Sequence, residues 1–370
     1  MNKKKPKKIL MLLTEDWFFV SHFLERAIAL KKEGFFVTVC SKKNVNESLI
    51  KKKGLKFIEV PFDRSSLNFL KELNVIYKIF KIYFKERPDI VHHVSFKPII
   101  YGSLVARILN IKNIINAPVG MGYVYSSKEF KAKILKPIIN SLYLLFLCAD
   151  KRKGAKNKVI FENQNDQMEF IKMGAVSYDN SILIRGAGVD FEYYESFHKY
   201  KKENSIPIIS LVCRMVKDKG VYEFVSAANI ILNQGIKAKF LLVGDVDAFN
   251  PSSIPKETLR YWNNSLNIEW SGWIKDIPKI LVETDILCLP SYREGLPKAL
   301  VEGAAMKLPI VTTDTVGCRD IVIDGENGFL VPVRSIHELS LSIKKLILDK
   351  ELRINMGRKG FDFAKKRFSS

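Results

Sequence analysis

Short apolar runs recur along the chain, each followed by a longer stretch in which apolar residues repeat at helical spacing. In the first half the strand-like runs are Ile9–Leu13, Phe36–Cys40, Lys56–Val60, Ile90–His93, Asn113–Asn116, Val159–Glu162 and Ile182–Arg185. Helical stretches such as His22–Glu33 and Ser103–Leu109 lie between them. The second half restarts the alternation at Pro207, with strands at Ile208–Cys213, Lys239–Val243, Ile268–Ser271, Ile286–Pro290, Ile310–Thr313 and Gly328–Val331. Helices fit Val221–Leu232, Ile277–Glu283, Lys298–Met306 and His337–Leu348. Strands that alternate with helices predict doubly wound parallel sheets. The polar, aperiodic stretch Tyr194–Ser205 reads as a linker. The expected organisation is therefore an α/β chain of two Rossmann-like domains, residues 1–193 and 207–370, joined by residues 194–206. Two such domains would face each other across a cleft, where ligands commonly bind.

The length of 370 residues fits that division, because one core rarely grows so large. Charge changes the picture more. The net charge is +21, of which residues 1–190 carry +17 and residues 191–370 carry +4. A basic half implies an anionic partner surface. Leu67–Lys85 is strongly helical, with apolar Leu70, Leu73, Ile76, Tyr77, Phe80, Tyr83 and Phe84 among Lys71, Lys78, Lys81 and Lys85. Such a segment fits a buried face under solvated lysines, or a basic amphipathic helix lying on an anionic membrane. Lys128–Lys158, with nine basic residues around the apolar Ile138–Ala149, is a second candidate. No apolar stretch reaches the roughly 20 residues that a membrane-spanning helix needs. The start, MNKKKPKKILMLL, reads as a basic tail before a first strand, because Thr14–Glu15–Asp16 ends the apolar run and no cleavage site follows. The five cysteines are scattered without CxxC spacing, and the five histidines form no metal-binding set, so reduced core thiols and no metal site are expected.

The chemistry concentrates at strand ends of the second half. Arg214 and Lys219–Gly220 follow its first strand, and two cations beside a helix start suit a diphosphate. Gly244–Asp245 ends the next strand and Gly272–Trp273 the third. The fourth runs into PSYREGLPKALVEGAA, a turn and then a helix. That stretch places Glu294 in the turn and Glu302 about a turn and a half into the helix. Four such loops on one sheet edge point to a nucleotide site.

Together and in order, these motifs resemble the retaining glycosyltransferases of family 4, which have the GT-B fold. The resemblance covers essentially the whole chain. In the first half, DWFFVSHF, DIVHHVSFKPIIYGSLVA, APVGMGYVY, VIFENQNDQ and IRGAGVDFEYY resemble bacterial N-acetylhexosaminyltransferases that extend glycans on undecaprenyl diphosphate. The resemblance implies that Arg214 and Lys219 bind the donor diphosphate and steady the departing nucleoside diphosphate. Glu294 would hold hydroxyls of the donor sugar, helped by backbone N–H groups around Gly295 and Leu296 before Pro297. Glu302 would hold the ribose, and the Gly272–Trp273 loop would lie against the base near Gly244. No metal cofactor is implied, since cationic side chains and a helix dipole replace a divalent ion. Asp245-Val-Asp247 formally matches D-x-D, but it occupies the family's strand-end Gly-Asp position.

The resemblance further implies front-face attack, with the acceptor hydroxyl deprotonated by the leaving phosphate, so the two glutamates are not a glycosidase acid/base pair. Departures fall mainly on the acceptor side. Glu15–Phe19 stands where many members carry a glycine-rich loop, and Ala117–Gly122 where many carry a histidine. His93 is then the candidate catalytic residue of the first half, with His22, Lys97 and Gly120 as acceptor-side candidates. The alanine usual after the second glutamate is Gly303. The chain ends at Phe368-Ser-Ser, where members usually continue into a helix returning to the first domain, so a shortened C-terminus is expected.

The expected activity is transfer of an N-acetylhexosamine from a UDP donor to a polyprenyl-diphosphate glycan in surface polysaccharide synthesis. The expected place is the cytoplasmic face of the plasma membrane. An alternative is a GT-B sugar-nucleotide epimerase, against which the paired glutamates count. A nucleic-acid-binding protein is a further alternative, but the basic segments have aromatics at buried-face spacing and no recognised nucleic-acid motif.

Overall fold

The computed structural model describes residues 6–64, 66, 68–119, 125, 130–148, 152–201, 203–248 and 250–369. The chain divides into two compact units, Met1–Ile184 and Arg185–Ser370.

In the first unit, strands β1 (Lys8–Glu15), β2 (Phe36–Lys42), β3 (Lys56–Glu59), β4 (Ile90–Val94), β5 (Asn113–Ala117), β6 (Lys156–Phe161) and β7 (Ser181–Leu183) form one sheet in the order β3-β2-β1-β4-β5-β6-β7. The pairings are parallel throughout. Both faces are covered, which is why the strands read as near-continuous apolar runs. One face packs Met11, Leu13, Phe19, Phe23 and Val39 together. The other packs Leu10, Leu12, Val75, Ile79, Tyr83 and Val91.

The second unit repeats the plan. Its strands are β8 (Ile208–Val212), β9 (Lys239–Val243), β10 (Ile268–Trp270), β11 (Ile286–Leu289), β12 (Ile310–Thr313) and β13 (Gly328–Val331), in the order β10-β9-β8-β11-β12-β13. In each sheet the order reverses beside the first strand, between β1 and β4 and between β8 and β11. Ligands of open α/β sheets bind at such reversals, outside the carboxyl ends of the strands.

The division between the units falls before the polar stretch that reads as a linker. Val189, Phe191 and Tyr194 are buried against Leu296, Leu300, Phe361 and Phe368, so residues 185–193 belong to the second unit. Tyr194 itself lies in a short helix, Phe191–Glu195. The last helix, Lys350–Phe368, packs on the same cluster, and Val189 N donates to Phe368 O at 3.0 Å.

Two local features stand at the strand exits. Where one helix over His22–Glu33 is expected, helix formation begins directly at Asp16 and breaks at Phe23, giving Asp16–His22 and Leu24–Lys32. Asp16 is fully buried and accepts backbone N–H bonds from Asn44 at 2.9 Å and Asn46 at 3.0 Å. It thereby ties the β2 exit to the β1 exit. The second feature is Ser95, which ends β4 at φ 75° and ψ 168°, a region ordinarily left to glycine, and its side chain makes no capping bond. Ser95→Gly should therefore stabilise the first unit by about 1 kcal/mol, read as a higher denaturant midpoint at unchanged slope.

Candidate functional site

β8 and β11 flank the reversal of the second sheet, and their carboxyl ends carry the charged groups. Cys213 and Arg214 leave β8, and residues Lys217–Lys219 make one 3₁₀ turn that ends on Gly220. Gly220 has φ 73°, and a Cβ there would lie 2.0 Å from the Pro290 carbonyl oxygen. Only glycine lets the β8 and β11 exits approach this closely. Gly244 does the same at the β9 exit, with φ 137° and a hypothetical Cβ 1.8 Å from Cys213 O.

The β11 exit is laced to its neighbours. Tyr292 N donates to Asp218 O at 2.8 Å, and Ser291 Oγ donates to the same oxygen at 3.1 Å. The Thr313 hydroxyl donates to Ser291 O and that of Thr315 to Tyr292 O. Tyr292 Oη donates to Glu223 Oε1 at 2.6 Å. Burial, reinforced by Glu223, pushes that phenol up to about 12.

The lacing brings the charged side chains together. Lys219 Nζ donates to both oxygens of Glu294, at 2.5 and 2.7 Å, across 75 residues of sequence. Arg214 is ion-paired with Asp247. Pro297 caps the helix Lys298–Ala305 at φ −71°, so the proline lies just before the first turn and leaves the following N–H groups at the helix mouth. On that helix Glu302 is buried, 3.4 Å from Lys298 Nζ. Beside it the Tyr194 phenol is raised by burial first and by the Glu302 charge second. Leu296 packs under Gly186. Gly303 lies against Leu287 Cδ2, which occupies the space an alanine methyl would need.

The β9 and β10 exits close the edge. Gly244 N donates to Gly272 O and Trp270 Nε1 to Gly244 O, both at 2.8 Å. Trp273 beside them is 69% exposed, a flat apolar surface presented at the same edge as the cations. Chemically, the edge offers two cations, a helix N-terminus, two carboxylates that can accept from hydroxyls, and an open aromatic. That set suits a nucleoside diphosphate bearing a sugar.

A family model described as glycosyl transferases group 1 matches residues 194–363, and one described as glycosyl transferase 4-like matches residues 8–146. The chain is a glycosyltransferase, a 4-like half joined to a group 1 half.

Among curated relatives, the transferase is 29% identical over 343 residues to N,N'-diacetylbacillosaminyl-diphospho-undecaprenol alpha-1,3-N-acetylgalactosaminyltransferase of Campylobacter jejuni, covering 90% of this chain and 87% of that one. It is 26% identical to the capsular polysaccharide biosynthesis glycosyltransferase CapM of Staphylococcus aureus, covering 84% and 80%. Among solved structures, Anabaena HepE in complex with UDP and glucose superposes with a TM-score of 0.77 at 18% identity, covering 98% of this chain and 96% of that one. The lipopolysaccharide glycosyltransferase WaaG superposes with a TM-score of 0.69 at 15% identity, covering 96% and 95%. The two parallel-sheet units are those of the GT-B fold.

The acceptor-side candidates of the transferase fare differently. His93 is fully buried on β4. Its Nδ1 donates to Asn116 Oδ1 at 2.8 Å, and its Nε2 accepts from Tyr83 Oη at 3.0 Å. Burial holds its pKa down to about 4, opposed only in part by the Asn116 bond. A ring without exposed surface and with both nitrogens engaged has a core role here, and this corrects its assignment as a catalytic residue. Lys97 is likewise committed to the fold. Its Nζ donates to Asp63 O, Ser66 O and Glu72 Oε1 at 2.6 to 2.8 Å, which staples the β3 exit to the helix Phe69–Glu86. His22 ends the helix Asp16–His22 and stacks on Phe18 at 4.3 Å. Gly120 lies outside the described residues.

Sequence reasoning missed Tyr194, Asp247 and Trp270. Tyr194 sits in the stretch that reads as a linker. Asp247 is the second carboxylate of the discounted D-x-D, and Trp270 is two residues before Gly272. For Asp247 and Trp270, a carboxylate or aromatic within a few residues of a strand exit is the signal that could have found them.

Proposed function

We propose that this transferase moves an N-acetylhexosamine, with retention, from a UDP donor to a polyprenyl-diphosphate-linked glycan in surface polysaccharide synthesis. The observation that carries the reading is the Lys219–Glu294 pair with Arg214 at the β8 and β11 exits. The names of its relatives support the acceptor class, and the HepE complexes support UDP. In this reading Arg214, Lys219 and the helix mouth at Lys298 take the diphosphate and stabilise the charge that builds on it as the sugar departs. Glu294 accepts from sugar hydroxyls and Glu302 from the ribose, while Trp273 lies against the base. The leaving phosphate takes the proton of the attacking hydroxyl. Cations in these places supply the electrostatic work of a divalent ion, and the tie of Asp247 to Arg214 gives that carboxylate a role other than metal ligation.

The working place is the inner face of the plasma membrane, held by the basic first unit. Among the described residues no helix is long and apolar enough to cross a membrane. The helix Phe69–Glu86 buries Val75, Ile79, Ile82 and Tyr83, so its inner face is already satisfied. Yet Leu70 (75%), Tyr77 (55%) and Phe84 (61%) stay exposed among the lysines, an outer stripe that suits an anionic lipid surface. Ile134, Ile138 and Leu145 add exposed apolar surface on the helix Phe130–Leu147 within the second basic segment. The test is a transfer assay with UDP-N-acetylhexosamines and an undecaprenyl-diphosphate glycan in anionic vesicles. Transfer to lipid, with vesicle association reversed by high salt, is expected. Failure of every UDP-sugar to donate would overturn the reading.

A further inference from the structure

Residues 245–248 and 250–255, before the helix Lys256–Ser265, lie along the β8 exit. Met215 N donates to Asp245 O at 3.0 Å, Lys217 N to Ser252 O at 2.8 Å and Ile254 N to Met215 O at 2.9 Å. Ser252 Oγ adds a bond to Asp218 Oδ2 at 3.1 Å, and Val216 bridges Ser253 in antiparallel fashion. This strap fixes the turn that carries Lys219. It also fixes Asp247, whose N donates to Ser253 Oγ at 3.1 Å and whose carbonyl accepts from Asn250 N at 2.8 Å.

The two members of the Arg214–Asp247 pair are unlike. The Asp247 side chain is 9% exposed and the Arg214 side chain 41%. The carboxylate is the anchored, buried partner, and the guanidinium is the more exposed one. A guanidinium has five N–H donors in a rigid fork. It can therefore keep Asp247 on one arm and still offer others to a phosphate. The carboxylate beside it does two things. It limits the directions Arg214 can take, and it opposes the approach of further negative charge.

We infer that Asp247 is a positioning residue of the donor site, a built-in counter-anion that aims Arg214 at the diphosphate and lowers the affinity for it, so that the nucleoside diphosphate leaves after transfer. The inference rests on the reading that Arg214 holds the donor diphosphate. Tight product is a cost to turnover where release limits the rate. A site that binds with two bare cations would hold the product longest. Pairing Arg214 with Asp247 moderates that hold.

The test is calorimetric titration of the full chain with UDP. Asp247→Asn keeps an oxygen for Arg214 and removes the charge, and UDP should bind about tenfold tighter, in the range of charge-pair couplings at partly exposed sites. Asp247→Ser should shift affinity in the same direction, and Asp247→Glu should restore the wild-type value. Arg214→Ala should weaken UDP, and adding Asp247→Asn to it should tighten UDP less than Asp247→Asn does alone, because only the direct repulsion between carboxylate and diphosphate is then relieved. In turnover, Asp247→Asn should show stronger product inhibition by UDP and a lower kcat. General damage to the fold would weaken UDP and could not tighten it. Unchanged or weaker UDP binding in both Asp247→Asn and Asp247→Ser, with Arg214→Ala weakened, overturns the counter-anion role and leaves the donor reading standing. UDP binding unaffected by Arg214→Ala overturns the donor reading and this inference with it.

Discussion

Glu294→Ala should lower sugar transfer by about 10²–10³-fold, the range seen when one preorganised polar contact to a reacting group is removed. UDP affinity should stay within a few-fold of wild type. The reason is geometric. Glu294 holds Lys219 through both carboxylate oxygens, and its backbone is set by the bond from its own N to Val316 O at 3.2 Å. In the proposed reading, removing the carboxylate leaves the loop, the helix mouth and Arg214 in place, so the diphosphate keeps most of its ligands, while the acceptor for the sugar hydroxyls and the alignment of Lys219 are lost. A radiolabelled-donor assay beside a UDP titration reads the two effects separately. Equal activity in variant and wild type would remove Glu294 from the sugar site.

The second large effect concerns stability. His93→Ala should destabilise the first unit by about 2–4 kcal/mol, because it opens a cavity and leaves Tyr83 Oη and Asn116 Oδ1 short of a partner in the core. Transfer per folded molecule should be unchanged. The wild type carries the matching pH signature. Folded His93 stays neutral down to about pH 4 and folded His92 to about pH 3, each held there chiefly by burial, whereas the same groups titrate near 6.5 when unfolded. Between those values the unfolded chain binds more protons, so stability rises with pH. Acidification from pH 6.5 towards pH 4 should therefore lower the unfolding midpoint progressively, and His93→Gln should flatten that slope. A His93→Ala protein with wild-type stability and no transfer would return this residue to the chemistry.

The two predictions mark different relations between sequence and structure. Glu294 was legible because its surroundings are local. A strand, a turn and a helix start follow one another within about a dozen residues, and hydrophobic periodicity alone places them. The same holds for Arg214 and Lys219 at the β8 exit and for Gly244 and Gly272 at the next two. Parallel strands separated by helices must present their exits on one edge. Strand positions therefore carried the grouping of these residues on one edge with them.

His93 was not legible, because its partners come from elsewhere. It stands opposite Asn116 in the β4–β5 register, and Tyr83 reaches it from the preceding helix. The pattern Asp-Ile-Val-His-His-Val reads equally as a strand end with a reactive histidine or as a strand with a core histidine. Only the pairing decides which face His93 takes and what meets it there. Lys97 shows the same limit, since its three acceptors lie 25 to 34 residues away in sequence.

By itself the sequence determined that this protein has two parallel α/β units, where each strand ends to within about two residues, and which loops carry charge. Those follow from side-chain period and turn chemistry, which are properties of neighbours along the chain. The tertiary structure alone decided that Lys219 grips Glu294, that Asp247 anchors Arg214 and that His93 is sealed in the core. Those depend on register and on close approach between strand exits, where side chains distant in sequence compete for the same partners.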